Sequence, residues 1–186
     1  MIAMAEALCK EEKRAQPETE ALPRPTCVCF VCTGNTCRSP MAAAVANAWA
    51  QRECEQYPKV VVDAMSPVLK AFSRGLYAAD GDPISQNARL ALEEAGVAAC
   101  ADNDYRCHLA RTIGEEDVRV ADLLVAVGPR HAMELLVRFP WAAGKIACMP
   151  EAIDDPFGGD LAVYRACLAQ ICSGVEKLLF SKELEQ

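Results

Sequence analysis

The chain has 186 residues, of which 52% are hydrophobic and 24% are charged, and 19 Lys and Arg against 26 Asp and Glu give it a net charge of −7. This length and hydrophobic content support one domain with a real core and exclude global disorder. The acidic balance disfavours a nucleic acid as partner, and the lack of an apolar run of roughly 20 residues disfavours a membrane.

The first 25 residues differ from the rest of the chain. They carry Pro17, Pro23 and Pro25 and no strand-like segment, and their charged residues leave no room for a secretory signal. We expect residues 1–25 to be a mobile, peripheral extension and residues 26–186 to form the domain. Because no export signal accompanies the 11 cysteines, we expect reduced thiols and a cytoplasmic location.

The domain begins with a short apolar strand at 27–31, of the kind that is buried on both faces of a sheet. Pro40 suits the first turn of an Ala- and Met-rich helix that ends near Glu53. A helix that starts at Asp82 or Ser85 ends before Gly96, and a capping box from Thr112 to Glu115 precedes another. Further strands are predicted at 60–62, 121–127 and 145–149, and further helices at 129–139 and from 159 or 160 to 180.

This alternation predicts an α/β fold, a three-layer sandwich around a roughly four-stranded, doubly wound parallel sheet. Ligands of such sheets bind beyond the carboxyl ends of the strands, at the point where the strand order reverses. The loop that follows the first strand is therefore the first place to look for a site.

That loop, residues 32–40, reads CTGNTCRSP and connects the strand to the start of a helix. Its backbone N–H groups are expected to converge on one concavity, and the helix dipole adds positive potential there. The concavity fits a tetrahedral oxyanion. The residues predicted to bind phosphate are Thr33, Gly34, Asn35, Thr36, Cys37, Arg38 and Ser39.

Cys32 and Arg38 stand at the two ends of this loop in a C-x5-R spacing. The helix dipole and the guanidinium both favour the thiolate of Cys32, which is the nucleophilic form. The planar fork of Arg38 can hold two phosphoryl oxygens, and the hydroxyl of Ser39 can donate to the sulfur. A buried strand cysteine beside a solvated arginine is the plainer interpretation, but the strand–loop–helix setting favours catalysis.

Residues 28–40 resemble the VCxGNxCRSP signature of the low-molecular-weight protein tyrosine phosphatases, a family that includes protein-arginine phosphatases and related arsenate reductases. The resemblance extends from Thr26 to about Phe180. It implies a phosphatase-I, flavodoxin-like fold, a phosphorylated protein as substrate, a phosphocysteine intermediate, and neither metal nor cofactor. It also implies a late Asp-Pro general acid, which Asp155-Pro156 matches, whereas Asp154 reads as a turn residue.

The substrate prediction depends on Thr36 and Phe157. CTGNTCRSP with Thr36, together with DPFGG, resembles the protein-arginine phosphatases, whereas tyrosine-specific members place a bulky aliphatic residue at that loop position and further aromatics after Asp-Pro. We therefore predict phosphoarginine hydrolysis. The alternatives are a tyrosine phosphatase, an arsenate reductase relaying electrons through Cys100 and Cys107, and a non-catalytic sensor of phosphate or oxidation.

Two further expectations come from the resemblance. It implies a reversible disulfide between Cys32 and Cys37 that protects the nucleophile from overoxidation. The family often has a Ser after the second strand that supports the loop Asn; this chain has Asp63 there, so we expect Asn35 to pair with Asp63. Outside the site, we expect His108 to be structural, and His131 and the basic residues Arg74, Arg106 and Arg111 to be solvated.

Overall fold

The computed structural model describes residues 27–55 and 69–180. Within these ranges, four parallel strands form one sheet in the order β2-β1-β3-β4. The strands are β1 (Cys27–Cys32), β2 (Lys70–Gly75), β3 (Leu123–Ala126) and β4 (Ile146–Cys148). The helices are α1 (Arg38–Glu55), α2 (Gln86–Glu94), α3 (Glu115–Val120), α4 (Pro129–Arg138) and α5 (Leu161–Val175).

The described chain also contains three short helical turns. Two 3₁₀ turns span Tyr105–Cys107 and Pro140–Lys145, and a π-helical turn at Glu176–Phe180 extends α5. No helix in these ranges is both long enough and apolar enough to cross a membrane.

Strand β1 is buried on both faces, which explains why its sequence is apolar without alternation. Val28 and Phe30 belong to one core, which α1, α2 and α5 cover. Cys29 and Val31 point the other way, into a second core that contains Val118 of α3 and Leu135 of α4. Helices thus cover both faces of the sheet, and the predicted three-layer α/β fold is confirmed.

The strand order places the loop after β1 at the switch point of the sheet. The chain passes from β1 to its neighbour β2 on one side, and then to β3 and β4 on the other. Cys32 lies level with Gly75 at the carboxyl edge, where Leu76 N donates to Cys32 O at 2.8 Å. Ligands of doubly wound sheets bind at such a point.

Most predicted elements are found, with shifts of a few residues at their ends. Ser85 caps α2 by accepting from Ala88 N at 3.2 Å, and Asp160 caps α5 by accepting from Val163 N at 3.1 Å. The predicted cap at Thr112 is wrong: Gly114 is the N-cap of α3, because Asp117 accepts from Gly114 N at 3.0 Å.

The second strand was not predicted. The strand expected at 60–62 lies outside the described residues, and β2 follows at 70–75 with Phe72 as its one large apolar residue. β2 is an edge strand of the described sheet, so fewer of its side chains need to be apolar. The side chain of Asn47 on α1 bonds both backbone groups of Ala71, at 2.7 and 2.9 Å, and so covers part of this edge.

Candidate active site

The loop between β1 and α1 lines a pocket of about 280 Å³ at the carboxyl edge of the sheet. β1 ends at Cys32 and α1 begins at Arg38, so the intervening backbone wraps around the start of a helix. This geometry gives the pocket the positive potential of the helix N-terminus. The residues that line it are Cys32, Thr33, Gly34, Asn35, Thr36, Cys37, Arg38, Asp155 and Phe157.

The sulfur of Cys32 lies at the base of this pocket and has two hydrogen-bond partners. The residue is only 2% exposed. Its Sγ lies 3.0 Å from Ser39 Oγ and accepts from the backbone N of Asn35 at 3.3 Å. These two contacts fix the position of the sulfur within the pocket lining.

Asn35 fixes the shape of the loop. Its backbone has φ 57°, in the left-handed region that Asn tolerates better than most residues. Its side-chain Nδ2 donates to Ser39 Oγ at 3.0 Å, which leaves the Ser39 hydroxyl hydrogen available for the sulfur of Cys32 or for Arg74 O at 3.3 Å. Its Oδ1 accepts from Arg111 N at 2.9 Å. All polar atoms of this buried side chain therefore have partners.

The second donor bond of Asn35 joins the loop to β2. Asn35 Nδ2 donates to Ser73 Oγ at 2.9 Å, so Ser73 is a serine that supports the loop. Register explains this contact: β2 runs through residues 70–75, and Ser73 lies near the carboxyl end of that strand, beside the loop. The expected partner of Asn35 was Asp63. Asp63 itself lies outside the described residues.

His108 supports the same loop from behind, as expected of a structural residue. Its Nε2 lies 2.8 Å from Asn35 O, and because a carbonyl can only accept, Nε2 carries the proton. Burial lowers the pKa of His108 below its ordinary value. The neutral ring is therefore the form that the fold favours.

Asp155 and Arg38 meet at the mouth of the pocket. Arg38 Nη2 donates to Asp155 Oδ2 at 2.8 Å, and the side chain of Asp155 is 56% exposed. Asp154 points elsewhere, because its Oδ2 accepts from Gln170 Nε2 at 2.8 Å on α5. Of the two neighbouring carboxylates, only Asp155 lines the pocket. Phe157 also lines it, with 79% of its surface exposed at the rim.

His131 lies beside the loop, so the expectation that it is a solvated surface residue is wrong. Its Nε2 is 3.0 Å from Thr33 Oγ1, and the half-buried ring comes from the first turn of α4. Burial lowers the pKa of His131, and the positive charge of Arg38 lowers it further. Sequence spacing gave no sign of this contact, since the two residues are 98 positions apart.

Tyr164 is a second residue that the sequence did not point to. Its hydroxyl lies 3.2 Å from Cys37 Sγ, inside the core, and burial followed by this bond raises the pKa of Tyr164 to about 12. Cys37 Sγ is also 3.6 Å from Thr36 Oγ1. Tyr164 thus links α5 to the loop.

Other candidates lie outside the pocket lining. Cys100 Sγ donates to Gln51 Oε1 at 3.4 Å, and Cys107 is exposed on a 3₁₀ turn. Two of the basic residues expected to be solvated form ion pairs: Arg74 with Asp117 at 2.8 Å, and Arg106 with Glu93 at 2.9 Å. Within the described ranges, no group of three or more His, Cys, Asp or Glu is placed to hold a metal ion.

Comparison with known proteins matches this geometry to a family. Residues 27–186 match the family described as low molecular weight phosphotyrosine protein phosphatase. A protein-arginine-phosphatase from Geobacillus stearothermophilus is 32% identical over 166 residues, covering 86% of this chain and 97% of that protein. The low molecular weight protein-tyrosine-phosphatase PtpB from Staphylococcus haemolyticus is 29% identical, covering 81% and 96%.

Solved structures agree with the sequence matches. The YwlE arginine phosphatase from Geobacillus stearothermophilus superposes with a TM-score of 0.65 at 32% identity, covering 83% of this chain and 90% of that one. A mutant of the YwlE arginine phosphatase that carries a phosphorylated active-site serine superposes with a TM-score of 0.67 at 26% identity, covering 82% and 92%. The chain belongs to the low-molecular-weight protein tyrosine phosphatase family and is a phosphatase, as its sequence predicted.

Proposed function

We propose that this phosphatase hydrolyses phosphoarginine in proteins through a phosphocysteine on Cys32. The observation that carries the proposal is the loop residue Thr36, which is half-buried and lines the pocket with a short side chain and a hydroxyl. A small residue leaves room at the pocket floor for a guanidino-phosphate. Two relatives named protein-arginine-phosphatase, at 32% and 29% identity, support the same assignment.

In the first step, the loop amides and Arg38 hold the phosphoryl oxygens, and the Cys32 thiolate attacks phosphorus from the side opposite the leaving nitrogen. The S–P bond forms as the P–N bond to the arginine breaks. The leaving guanidine nitrogen needs a proton, and the Asp155 carboxyl at the pocket mouth is placed to donate it.

In the second step, Asp155 as carboxylate removes a proton from a water molecule that attacks the phosphocysteine. The P–O bond forms, the S–P bond breaks, and phosphate leaves. The Ser39 hydroxyl, 3.0 Å from the sulfur, stabilises Cys32 as it departs as a thiolate.

A substitution series at Thr36 tests the substrate assignment. Thr36→Ile adds a branched apolar group where the guanidino-phosphate would lie and removes the hydroxyl. We expect the ratio of kcat/KM on phosphoarginine to that on phosphotyrosine to fall by roughly ten- to a hundredfold, which corresponds to about 1–3 kcal/mol. Thr36→Val removes the hydroxyl at almost constant shape, and Thr36→Ser retains it.

The three variants separate polar from steric selection. If the phosphoarginine-to-phosphotyrosine ratio falls in Thr36→Val and stays near the wild-type value in Thr36→Ser, the hydroxyl is responsible for the selectivity. A ratio that changes only in the Ile variant assigns it to space. If the ratio is the same in wild type and all three variants, Thr36 selects nothing and phosphotyrosine becomes the favoured substrate.

Phosphotyrosine is the second candidate, and Phe157 is the observation that favours it. An aromatic ring 79% exposed at the pocket rim can pack against a phenyl phosphate. Gly158 and Gly159 follow it, so a second aromatic wall does not come from this segment.

Reversible oxidation belongs to the same proposal. Peroxide converts the Cys32 thiolate to a sulfenic acid, and attack by the Cys37 thiol then forms a disulfide and releases water. Cys37 must leave the hydroxyl of Tyr164 to make this bond. Because the nucleophile is a thiolate, we propose that the enzyme works in a reducing compartment, the cytoplasm.

A further inference from the structure

A second cavity of about 310 Å³ opens directly beside the phosphate pocket. The two cavities share Thr33, Arg38 and Asp155 as lining residues. We call the second cavity the flanking groove. Its other walls are formed by the segment after β2 and the first half of α4. Its further lining residues are Leu76, Tyr77, Arg130, His131 and Glu134.

Tyr77 forms a wall of the flanking groove and is fixed in place. Its hydroxyl donates to Glu134 Oε1 at 2.8 Å, and the guanidinium of Arg138 lies 4.3 Å from its ring centroid. Arg138 in turn donates to Leu76 O at 2.8 Å. The ring nevertheless stays 64% exposed. An aromatic side chain held in place while open to solvent suits a binding surface, because its rotamer is already ordered before a ligand arrives.

Among the charged residues that line the flanking groove, Arg130 alone has no ion-pair partner in the described parts of the chain. Glu134 forms an ion pair with Arg138 at 2.8 Å, and its hydrogen bonds from Tyr77 and Arg138 lower its pKa. Asp155 is paired with Arg38. Arg130 is exposed and has no ion-pair partner among residues 27–55 and 69–180. The groove therefore presents an uncompensated positive charge next to the phosphate pocket.

We propose that the flanking groove binds an acidic side chain next to the phosphorylated residue of the protein substrate, with Arg130 as its partner. The proposal rests on the proposed function in that it requires a phosphoprotein substrate. Neighbouring residues of an extended peptide are roughly 3.3 Å apart along the chain, so a peptide with its phosphoryl group in the first cavity passes over the shared wall into the second. Complementary charge then gives Arg130 its selective role.

The test compares two sets of short peptides that differ only in Asp or Asn on either side of the phosphorylated residue. Each set is made with phosphoarginine and with phosphotyrosine. We measure the Asp-to-Asn ratio of kcat/KM at low ionic strength for wild type, Arg130→Ala and Arg130→Lys. Arg119→Ala is the control, because Arg119 is also an exposed arginine and lies outside both cavities. The dissociation constants of the same peptides with Cys32→Ser give an Asp-to-Asn ratio that does not depend on turnover.

We expect wild type to prefer the Asp peptides by roughly two- to fivefold, the size of an exposed ion pair, and added salt to reduce this preference. The preference should disappear in Arg130→Ala and persist in Arg130→Lys and Arg119→Ala. A ratio below twofold in wild type, or one that survives in Arg130→Ala, overturns the proposal. Faster hydrolysis of phosphotyrosine than phosphoarginine would overturn the substrate assignment alone, since the Asp-to-Asn ratio is read within each set.

Discussion

The sulfur of Cys32 accepts a hydrogen bond from the loop at Asn35 N, and we propose that the anion site consists of backbone amides and Arg38. Cys32→Ser should therefore lower kcat by more than about a thousandfold, because the nucleophile is lost, and still bind phosphate or vanadate. Turnover and anion binding by calorimetry check this. Cys107→Ser, which changes an exposed thiol outside the pocket, should keep full activity. Residual turnover in Cys32→Ser within tenfold of wild type would exclude Cys32 as the nucleophile.

Asp155 and Asp154 offer a matched pair of carboxylates, one facing Arg38 and the other facing Gln170. A guanidine nitrogen is a poor leaving group unless it is protonated as the P–N bond breaks, and its strong basicity makes it a ready proton acceptor. Asp155→Asn should lower kcat on phosphoarginine by about a hundredfold or more. The loss on p-nitrophenyl phosphate should be smaller, because that leaving group needs little protonation.

Asp154→Asn serves as the control for this experiment and should change both rates by less than threefold. An equal loss on both substrates in Asp155→Asn would indicate that Asp155 positions Arg38 and does not transfer the proton. A larger loss in Asp154→Asn would show that Asp154, and not Asp155, is the general acid.

At the scale of elements, the carboxyl end of β2 is packed against the loop after β1 so closely that only glycine fits. A Cβ on Gly75 would lie 2.7 Å from Thr33 O and 3.1 Å from Asn35 Cβ. The first neighbour is backbone and cannot rotate away, so the loop itself would have to move. Gly75 therefore sets the distance between β2 and the loop after β1.

Gly75→Ala should lower the free energy of unfolding by roughly 1–3 kcal/mol, as overpacking does, and reduce kcat by about tenfold or more, because the loop amides are displaced. Urea unfolding and steady-state kinetics measure the two effects. Gly144→Ala is the control, since nothing lies within 4 Å of the added Cβ. Wild-type activity in Gly75→Ala would show that the loop tolerates the shift.

The elements that sequence predicts well are those whose pattern has a local cause. β1 is apolar because both its faces are covered, and Ser85 and Asp160 lie at helix starts because their side chains accept the first free N–H groups. The loop from Cys32 to Arg38 is equally local. β2 could not be predicted in this way, since an edge strand with one large apolar residue lacks a run of apolar residues that would mark it as a strand.

The residues that sequence missed act through contacts between distant parts of the chain. Ser73 reaches Asn35 across 38 positions, His131 reaches Thr33 across 98, and Tyr164 reaches Cys37 across 127. None of these side chains has a spacing that marks it. The sheet order and the packing of α4 and α5 bring them to the loop, so they become visible only once the fold is assembled.

At the scale of the whole molecule, the two histidines make stability depend on pH. Burial lowers the pKa of both His108 and His131 in the folded state, so the unfolded chain binds protons more readily between the folded values and about pH 6.5. Stability therefore rises with pH in that window. We expect the free energy of unfolding to fall as pH decreases from 7.5 through 6.5 to 5.5, before most carboxylates titrate.

Urea unfolding at those three pH values measures this dependence. His108→Asn retains a side-chain N–H that can donate to Asn35 O, and it should flatten the slope. His131→Asn should flatten it as well, and the double variant most of all. If the double variant kept the wild-type slope, the pH dependence would have to come from other groups.

The ion pair between Arg38 and Asp155 also bears on how the enzyme escapes its own product. An anion that enters the pocket competes with a carboxylate already attached to the same guanidinium, at 2.8 Å. Free phosphate has nothing else to offer in exchange, whereas a phosphoprotein brings the contacts of its neighbouring residues. Asp155 therefore lowers the affinity of the pocket for the phosphoryl group of the substrate and for free phosphate alike, and the further contacts of the phosphoprotein keep it the tighter ligand, so that the product is held only weakly.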